Sequence, residues 1–358
     1  MKKVLFMFTL FLIVANISFS WQLKLVKQIP VDEGSLLQSA SFVVLEDGKL
    51  LFTDIRDKNS QLKIFNEDGK LIKAWGKMGP GPEEFGGLGF PDYKSPYLAV
   101  SDAGKRRIYI FKKLNNDEFK RIGDILAWEQ SGNIKIYDKS VLIWGFIVSP
   151  QGKKYGLFMR DFNEKETRYI LPIEYSYGAR SMSEHKKVVD EVSGISAIAF
   201  FDVYDDTVFY VSDVRLKIIK VNLKFNQIEI FGQEGENFRP VKMNKITKET
   251  LIKTRSGLED IMTKHSFVSG IFADREFVGV IYVNREKKIG DTLYYVPYVQ
   301  IYDHSGKLLR EQRLTSFYSE ERIVPLYYQK DSRYLYLCSI IYGTEFTKYL
   351  IHKYQLEP

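Results

Sequence analysis

The sequence has few of the residues on which much protein chemistry depends. Its 358 residues include one cysteine, Cys338, and four histidines, His185, His265, His304 and His352. A single thiol in an apolar run cannot form an internal disulfide, so the core must supply stability by itself. The histidines are widely spaced and form no His-x-x-x-His pair, so there is no zinc motif, although histidines from separate parts of a fold can converge.

Motifs for nucleophilic catalysis and phosphate binding are also missing. There is no Gly-x-Ser-x-Gly elbow, and Cys338 lies in an apolar, strand-like run that predicts a buried, inert thiol. Gly79-x-Gly81 is followed neither by Lys-Ser/Thr nor by a helix pattern, so we interpret it as turn chemistry. The sequence therefore predicts no catalytic residue.

Neither sign of charge dominates. The formal charge is +7, and removal of residues 1–20, which contain Lys2, Lys3 and no acid, leaves +5. Basic and acidic residues are interleaved, a pattern typical of a solvated surface. We therefore predict no nucleic-acid partner.

The longest apolar run lies at the N-terminus and is too short for a typical membrane span. Lys2 and Lys3 precede the apolar residues 4–15, and the small residues Ser18 and Ser20 follow. This order predicts a signal peptide, residues 1–20, cleaved after Ser20. A retained anchor is the alternative, but spanning a bilayer takes about 20 apolar residues. We predict a periplasmic or secreted domain, residues 21–358, without an integral membrane span.

A stretch rich in glycine and proline, residues 75–85, separates two strand-like segments at 61–75 and 97–111. Glycine permits positive φ and proline fixes φ and removes a donor, so this stretch predicts a wide, ordered turn. Trp75 and Phe85 are its apolar ends, and a degraded copy occurs at residues 231–238. A repeated turn indicates a repeated architecture.

Short runs of β-branched and aromatic residues fall into six similar units, each with three or four strand-like runs. The units lie near residues 38–75, 88–127, 134–172, 194–231, 267–314 and 321–355. A period of about 50 residues with several strands per unit predicts an all-β, six-bladed β-propeller.

Two segments fall outside the six units. Residues 23–29 form an extra strand, and the last unit is one strand short, so we predict that the N-terminal strand closes the last blade as its outer strand. Residues 244–266 have helical spacing and predict a short helical insertion between blades 4 and 5. The insertion could simply plug the core or could form a lid over the channel.

The turn sequence also resembles a known family. Residues 75–85, followed by Pro91 and by Leu98-Ala99-Val100-Ser101-Asp102, resemble the NHL-repeat propellers, in particular six-bladed exported bacterial proteins, many of unknown function. The basic residues before aliphatic strands, Lys63, Arg107 and Lys217, fit the same pattern. The resemblance implies the propeller fold and implies little about function, because propellers host many unrelated activities.

A repeated pair of charges is the candidate binding site. Asp54, Asp102 and Asp213 end equivalent strands, and Arg56, Arg107 and Arg215 follow them. In one interpretation these six residues line a mouth of the channel and bind a polar ligand. In the other, each aspartate caps a turn or pairs with a neighbouring basic residue, as repetition around a scaffold favours.

The function predicted from these features is non-catalytic binding of a peptide, a glycan or a protein partner at one mouth of the channel. We predict no cofactor, although aspartate and asparagine oxygens could hold Ca²⁺ on the axis. The alternative function is a calcium- or zinc-dependent propeller enzyme, such as a lactonase-like hydrolase or a lyase. A purely structural module of the cell envelope is a third.

Overall fold

The chain folds into a ring of six antiparallel sheets. The computed structural model describes residues 21–358 except 83, 115–116, 128–129, 164, 173–198, 213–214 and 241–262. In this part of the chain, 24 strands form six four-stranded sheets, or blades. Grouped by blade, with the strand nearest the axis first, they are β2 (Ser39–Val44), β3 (Leu50–Asp54), β4 (Leu62–Phe65) and β5 (Leu71–Trp75); β6 (Leu88–Lys94), β7 (Tyr97–Asp102), β8 (Arg107–Lys113) and β9 (Phe119–Leu126); β10 (Gln130–Tyr137), β11 (Ser140–Val148), β12 (Lys154–Asp161) and β13 (Thr167–Pro172); β14 (Ala199–Tyr204), β15 (Thr207–Ser212), β16 (Arg215–Asn222) and β17 (Ile228–Phe231); β18 (Phe267–Ala273), β19 (Val278–Ile289), β20 (Thr292–Tyr302) and β21 (Leu308–Arg313); and β22 (Leu326–Gln329), β23 (Tyr334–Tyr342), β24 (Thr347–Glu357) and β1 (Gln22–Pro30).

The inner strands β2, β6, β10, β14, β18 and β22 each contact the next around the axis, and β22 contacts β2. The sheets therefore close into a ring, and the predicted all-β six-bladed propeller is confirmed. The blades also agree closely with the units predicted from the sequence. Blade 1 covers residues 39–75, for example, and blade 5 covers residues 267–313.

The first strand of the described chain belongs to the last blade. β1 pairs antiparallel with β24, from Gln22 opposite Glu357 to Pro30 opposite Leu350. The order β1–β24–β23–β22 places β1 at the outer edge of this sheet. The two ends of the propeller domain are thus held together by one hydrogen-bonded ladder.

Burial falls from the axis to the rim of each blade. Every residue of β3 and of β18 is buried, whereas the outer strands β5 and β17 have none that is buried. The apolar residues pack between neighbouring blades: Val43, Leu51 and Ile64 of blade 1 belong to the same cluster as Val100 and Tyr109 of blade 2. Burial of these faces between blades is the main stabilising contribution to the ring.

The glycine-rich turn is held by the blade that follows it. Gly86 and Gly104 lie backbone to backbone, and a Cβ on Gly104 would come within 2.4 Å of the Gly86 carbonyl oxygen. Asp102 accepts a hydrogen bond from the Gly86 N–H at 2.7 Å, and the Lys105 ammonium donates to carbonyl oxygens of the turn at Gly81 and Glu84. The glycines are required here by close approach.

The two faces of the ring are distinguished by the direction of the inner strands. Each inner strand ends at one face, which we call the cavity face. It begins at the other, the connection face, where the chain passes from blade to blade. In blade 1, for example, Ser39 at the start of β2 lies opposite Asp54, and Val44 at its end lies opposite Leu50.

Two predictions fall largely or wholly outside the described residues. The signal peptide was predicted at residues 1–20, which are not described, and the helical insertion was predicted at residues 244–266, of which 244–262 are not described. All named elements of the described chain are strands, in agreement with the predicted all-β class. Among the described residues, no helix has the length and apolar character that crossing a membrane requires.

Candidate functional site

The candidate site is a cavity of about 600 Å³ at the cavity face of the channel. The chain after the inner strands of blades 1, 2, 4 and 6 contributes to its wall, together with the end of β10 in blade 3. Its size lies within the range of about 300–1,000 Å³ that is usual for ligand sites. The lining residues include four tyrosines, Tyr93, Tyr204, Tyr327 and Tyr328.

Below this cavity the channel narrows. A second space of only about 60 Å³ is lined by residues of all six inner strands, among them Phe42, Pro91, Ile134, Phe201 and Ile271. Most of these side chains are apolar. Tyr327, Asp92 and Lys135 line both spaces, so they form the floor of the larger cavity. A ligand that enters from the cavity face would therefore stop at this level.

The floor carries a row of alternating charges. The Lys135 ammonium lies 3.2 Å from an Asp92 carboxylate oxygen and 3.6 Å from an Asp202 oxygen. The Lys330 ammonium lies 3.5 Å from the other Asp202 oxygen and also donates to the Val203 carbonyl oxygen. Asp92 belongs to blade 2, Lys135 to blade 3 and Asp202 to blade 4, and Lys330 follows the inner strand of blade 6. The row therefore connects four blades.

The carboxylates of this row are held by backbone donors of the neighbouring blades. Asp92 accepts a hydrogen bond from the Ile136 N–H at 2.7 Å, and Asp202 accepts one from the Ala273 N–H at 2.9 Å. The exposed fractions of Asp92 and Asp202 are only 6% and 5%. Because these carboxylates are buried and doubly anchored, their positions are set before any ligand arrives.

The charges of Lys135 and Asp202 are stable at neutral pH. Burial by itself would lower the pKa of Lys135, but the charges of Asp92 and Asp202 outweigh it and raise the pKa. Burial opposes ionisation of Asp202, yet the ammonium groups of Lys330 and Lys135 hold its pKa below the ordinary value. Burial, together with the nearby carboxylates, raises the pKa of Tyr327, so its hydroxyl stays protonated.

A more open groove continues the cavity across the tips of blades 2, 3 and 4. Its volume is about 480 Å³, and its lining includes Lys94, Tyr137, Asp138 and Asp205. The Lys94 ammonium lies 6.0 Å from the centre of the Tyr137 ring. Lys94 and Asp205 also line the main cavity, so the two spaces share a rim. An extended ligand could thus occupy both.

Asp54 and Arg56, predicted as ligand contacts, lie at the connection face. The carboxylate of Asp54 is buried and accepts hydrogen bonds from the backbone N–H groups of Leu37 and Gln38, at 2.7 and 3.0 Å. It also pairs with the Lys63 ammonium at 2.8 Å. Arg56 is exposed, and its N–H lies 3.3 Å from the same carboxylate. Internal donors therefore surround Asp54.

Asp102 has a similar setting in blade 2. It accepts hydrogen bonds from the N–H groups of Gly86 and Lys105, and it lies opposite Arg107 in the ladder. The Arg107 guanidinium pairs with Asp124 of the outer strand. None of the four residues Asp54, Arg56, Asp102 and Arg107 lines the main cavity. Their role as ligand contacts stays a prediction.

The third predicted pair falls partly outside the described residues. Asp213 is not described, and Arg215 is described only as the first backbone position of β16, opposite Ser212. Strand β15 ends at the connection face like β3 and β7. The backbone thus places Arg215 at the same face as Asp54 and Asp102.

The residues of the cavity floor were missed, although a repeated signal was present. Phe-x-Asp occurs on three inner strands, as Phe90-Pro91-Asp92 in β6, Phe200-Phe201-Asp202 in β14 and Phe272-Ala273-Asp274 at the end of β18. Each aspartate fastens the next blade: the third accepts a hydrogen bond from the Tyr328 hydroxyl at 2.7 Å. Lys135 and Lys330 have no comparable signal, because single lysines at strand ends are common on surfaces.

Metal binding receives no support from the geometry of the described chain. No group of three or more His, Cys, Asp and Glu residues is placed to hold an ion in the part that the structure describes. At the floor of the cavity, the Lys135 ammonium occupies the space between the two carboxylates. A cation at that point would have to displace it.

Comparison with known proteins supports the fold. A family model, DUF5128, described as a 6-bladed beta-propeller, matches residues 31–291. A crystal structure assigned as an exported protein of Bacteroides fragilis is 14% identical, with 94% of this chain and 96% of that chain covered and a TM-score of 0.56. No protein with a curated description matches this chain.

Two further structures are more distant. The calcium-binding protein regucalcin of Agrobacterium tumefaciens is 10% identical, over 93% of this chain and 97% of that one, with a TM-score of 0.48. An aldose sugar dehydrogenase of Streptomyces coelicolor, in a PQQ-bound form, is 14% identical over 94% and 98%, with the same TM-score. At this distance neither carries information on the activity of the present chain.

Proposed function

This chain belongs to the DUF5128 family of six-bladed β-propellers, and we propose that it is a non-catalytic binding protein that takes a peptide, a glycan or a segment of a protein at the cavity face. The observation that carries the proposal is the cavity of about 600 Å³, closed below by the narrow apolar channel. Its polar floor and aromatic wall suit an extended, polar ligand better than a compact apolar one.

Recognition at this cavity follows from its chemistry. The anchored carboxylates of Asp92 and Asp202 and the ammonium groups of Lys135 and Lys330 present acceptors and donors in fixed positions. Tyrosine rings supply apolar area at a low cost in conformational entropy, since they have only two side-chain torsions. Such a surface can hold a ligand by hydrogen bonds and stacking without reacting with it.

Export and the kinship to NHL repeats are part of the same proposal. The order of basic, apolar and small residues in positions 1–20 supports cleavage after Ser20 and a periplasmic or secreted location. The turn at residues 75–85 supports kinship to the NHL repeats. Directly after this turn, Gly86 packs against Gly104 in the β7–β8 turn of blade 2, so the backbone that follows the glycine-rich turn packs on the next blade.

The proposal can be tested by filling the cavity. Gln329 lies in the cavity wall, is uncharged, and accepts one long hydrogen bond, at 3.4 Å from the Tyr336 hydroxyl. Gln329→Trp would place an indole in the cavity without changing the net charge. Asn59→Trp, at an exposed turn on the connection face, is the matched control. Thermal unfolding of both variants establishes that they fold.

The wild-type protein and both variants are applied to arrays of synthetic peptides and of defined oligosaccharides. We expect at least one ligand that Gln329→Trp weakens tenfold or more and Asn59→Trp leaves unchanged. Ligands that bind all three proteins equally would show that the cavity is not the binding site. Stoichiometric Ca²⁺ or Zn²⁺ in the purified protein, with a higher Tm when the ion is added, would instead favour the metal-dependent enzyme.

A further inference from the structure

The charge of the cavity is opposite to the charge of the chain. Five carboxylates line the main cavity, those of Glu46, Asp92, Asp202, Asp205 and Asp331, and three ammonium groups, those of Lys94, Lys135 and Lys330. The whole chain has an excess of seven positive charges. An acid-rich cavity in a basic protein attracts a cationic ligand and repels an anionic one, because complementary potentials steer association.

The cavity already holds ammonium groups that belong to the protein itself. Lys135 lies between two carboxylates, and Lys330 combines a contact to Asp202 at 3.5 Å with a position 5.9 Å from the centre of the Tyr204 ring. Carboxylates and tyrosine faces are the two environments that stabilise an organic cation in a desolvated site. The lining of the cavity is therefore a suitable environment for an organic cation.

Two carboxylates at the rim of the cavity are available to pair with a cationic ligand. Asp205 follows β14 and Asp331 follows β22, and both are exposed. Neither forms an ion pair with any residue in the described ranges, whereas Glu46 pairs with Lys113 at 2.9 Å and the floor aspartates pair with lysines. Asp205 has a φ of 47°, which fixes its backbone in the left-handed region at the tip of its blade.

From these observations we propose that the ligand of the cavity is a peptide segment that carries lysine or arginine, with its cationic side chains on Asp205 and Asp331. This inference rests on the proposed function and adds the chemical class of the ligand. A long, flexible basic side chain can place its charge at the rim while its backbone hydrogen-bonds to the groups of the floor. An acidic peptide would meet the same carboxylates and be repelled.

The experiment compares peptides that differ only in charge. Four fluorescent decapeptides share one sequence and carry lysine, arginine, glutamine or glutamate at the same two positions. Their affinities are measured for the wild-type protein, for the double variant Asp205→Asn/Asp331→Asn, and for Asp291→Asn. Asparagine tolerates positive φ and so suits position 205. Asp291 is a fully exposed acid at the tip of the β19–β20 hairpin and serves as the control.

For two exposed ion pairs we expect the lysine and arginine peptides to bind the wild type about tenfold more tightly than the glutamine peptide at low salt. The preference should shrink at 300 mM salt because exposed charges are screened. It should disappear in the double variant and persist in Asp291→Asn. A preference for glutamate, or a lysine preference that survives in the double variant, would overturn the inference.

The same measurements separate failure of this inference from failure of the proposed function. If all four peptides bind equally and Gln329→Trp weakens all of them, the cavity binds peptides but does not select cations. If the basic peptides bind the wild type and Gln329→Trp with the same affinity, they bind outside the cavity, and both proposals fail for peptides. If none of the four peptides binds, the basic-peptide inference fails. Binding of an oligosaccharide at the cavity would still support the proposed function.

Discussion

His352 makes the stability of the propeller depend on pH. It lies on β24, in the blade that β1 completes, and is only 1% exposed. One ring nitrogen lies 3.2 Å from the Gln28 side-chain nitrogen on β1, and the other lies 3.2 Å from the Ser339 hydroxyl on β23. The Phe317 ring packs on the imidazole with 4.7 Å between ring centroids. No charged side chain is among these contacts.

Burial lowers the pKa of His352 from 6.5 to about 4. Between these values the unfolded chain binds a proton that the folded chain does not, so the free energy of unfolding falls as the pH falls. The contribution of His352 is therefore fully present above pH 6.5 and is lost progressively down to about pH 4. The difference in pKa corresponds to about 3 kcal/mol over the whole window, of which about 2 kcal/mol is lost by pH 5.

Urea unfolding at pH 7.5 and pH 5 measures this loss, with His352→Gln as the reference. Glutamine does not titrate and can still hydrogen-bond to the neighbouring strands, so the variant keeps every other source of pH dependence. We expect the wild type to lose about 2 kcal/mol more than the variant between the two pH values. Hydrogen exchange should show the extra loss first in β1, which is anchored through Gln28. Equal losses in both proteins would refute the reasoning.

Two further predictions concern the floor of the cavity and the glycine-rich turn. Lys135→Met removes an ammonium group that balances the charge of two buried carboxylates. We expect the free energy of unfolding to fall by about 2 kcal/mol, less than for a fully buried ion pair, because Lys135 is partly exposed. Lys139→Met, on an exposed turn of the same blade, should change it little, and equal effects would contradict the assigned role. Gly104→Ala forces a methyl group against the Gly86 carbonyl and should cost about 2 kcal/mol in thermal unfolding. Gly123→Ala, with 3.7 Å to the nearest atom, is its control, and a Gly104→Ala protein as stable as this control would contradict the close packing.

The fold could be predicted from the sequence because the fold is repetitive. Each blade needs short apolar strands separated by turns, and a period of about 50 residues makes such a pattern visible even when individual strands are ambiguous. Blade 3 illustrates this: β10–β13 have no recognisable turn motif, yet the prediction of residues 134–172 agrees with the observed 130–172. Its β pattern alone was the basis of that prediction.

The candidate cavity was not predictable in the same way. Asp54 and Asp102 were chosen because they recur, and recurrence proved to accompany hydrogen bonds to the backbone of a neighbouring turn. The cavity instead combines residues with different local sequences, such as Lys135 at the end of β10 and Lys330 after β22. These two lysines are 195 positions apart, and both approach the Asp202 carboxylate because the ring brings blades 3 and 6 to one axis.

The aspartates of the Phe-x-Asp segments complicate any mutational search for the ligand. Asp92 and Asp202 fasten neighbouring inner strands through backbone N–H groups and also form the charged floor. Replacement of either residue would leave a buried N–H without its acceptor, which costs stability whether or not a ligand binds. Loss of binding in such a variant could not be assigned to recognition. Asp205 and Asp331 line the same cavity and form no ion pair among the described residues, so substitutions at the rim separate recognition from folding more cleanly than substitutions of Asp92 or Asp202.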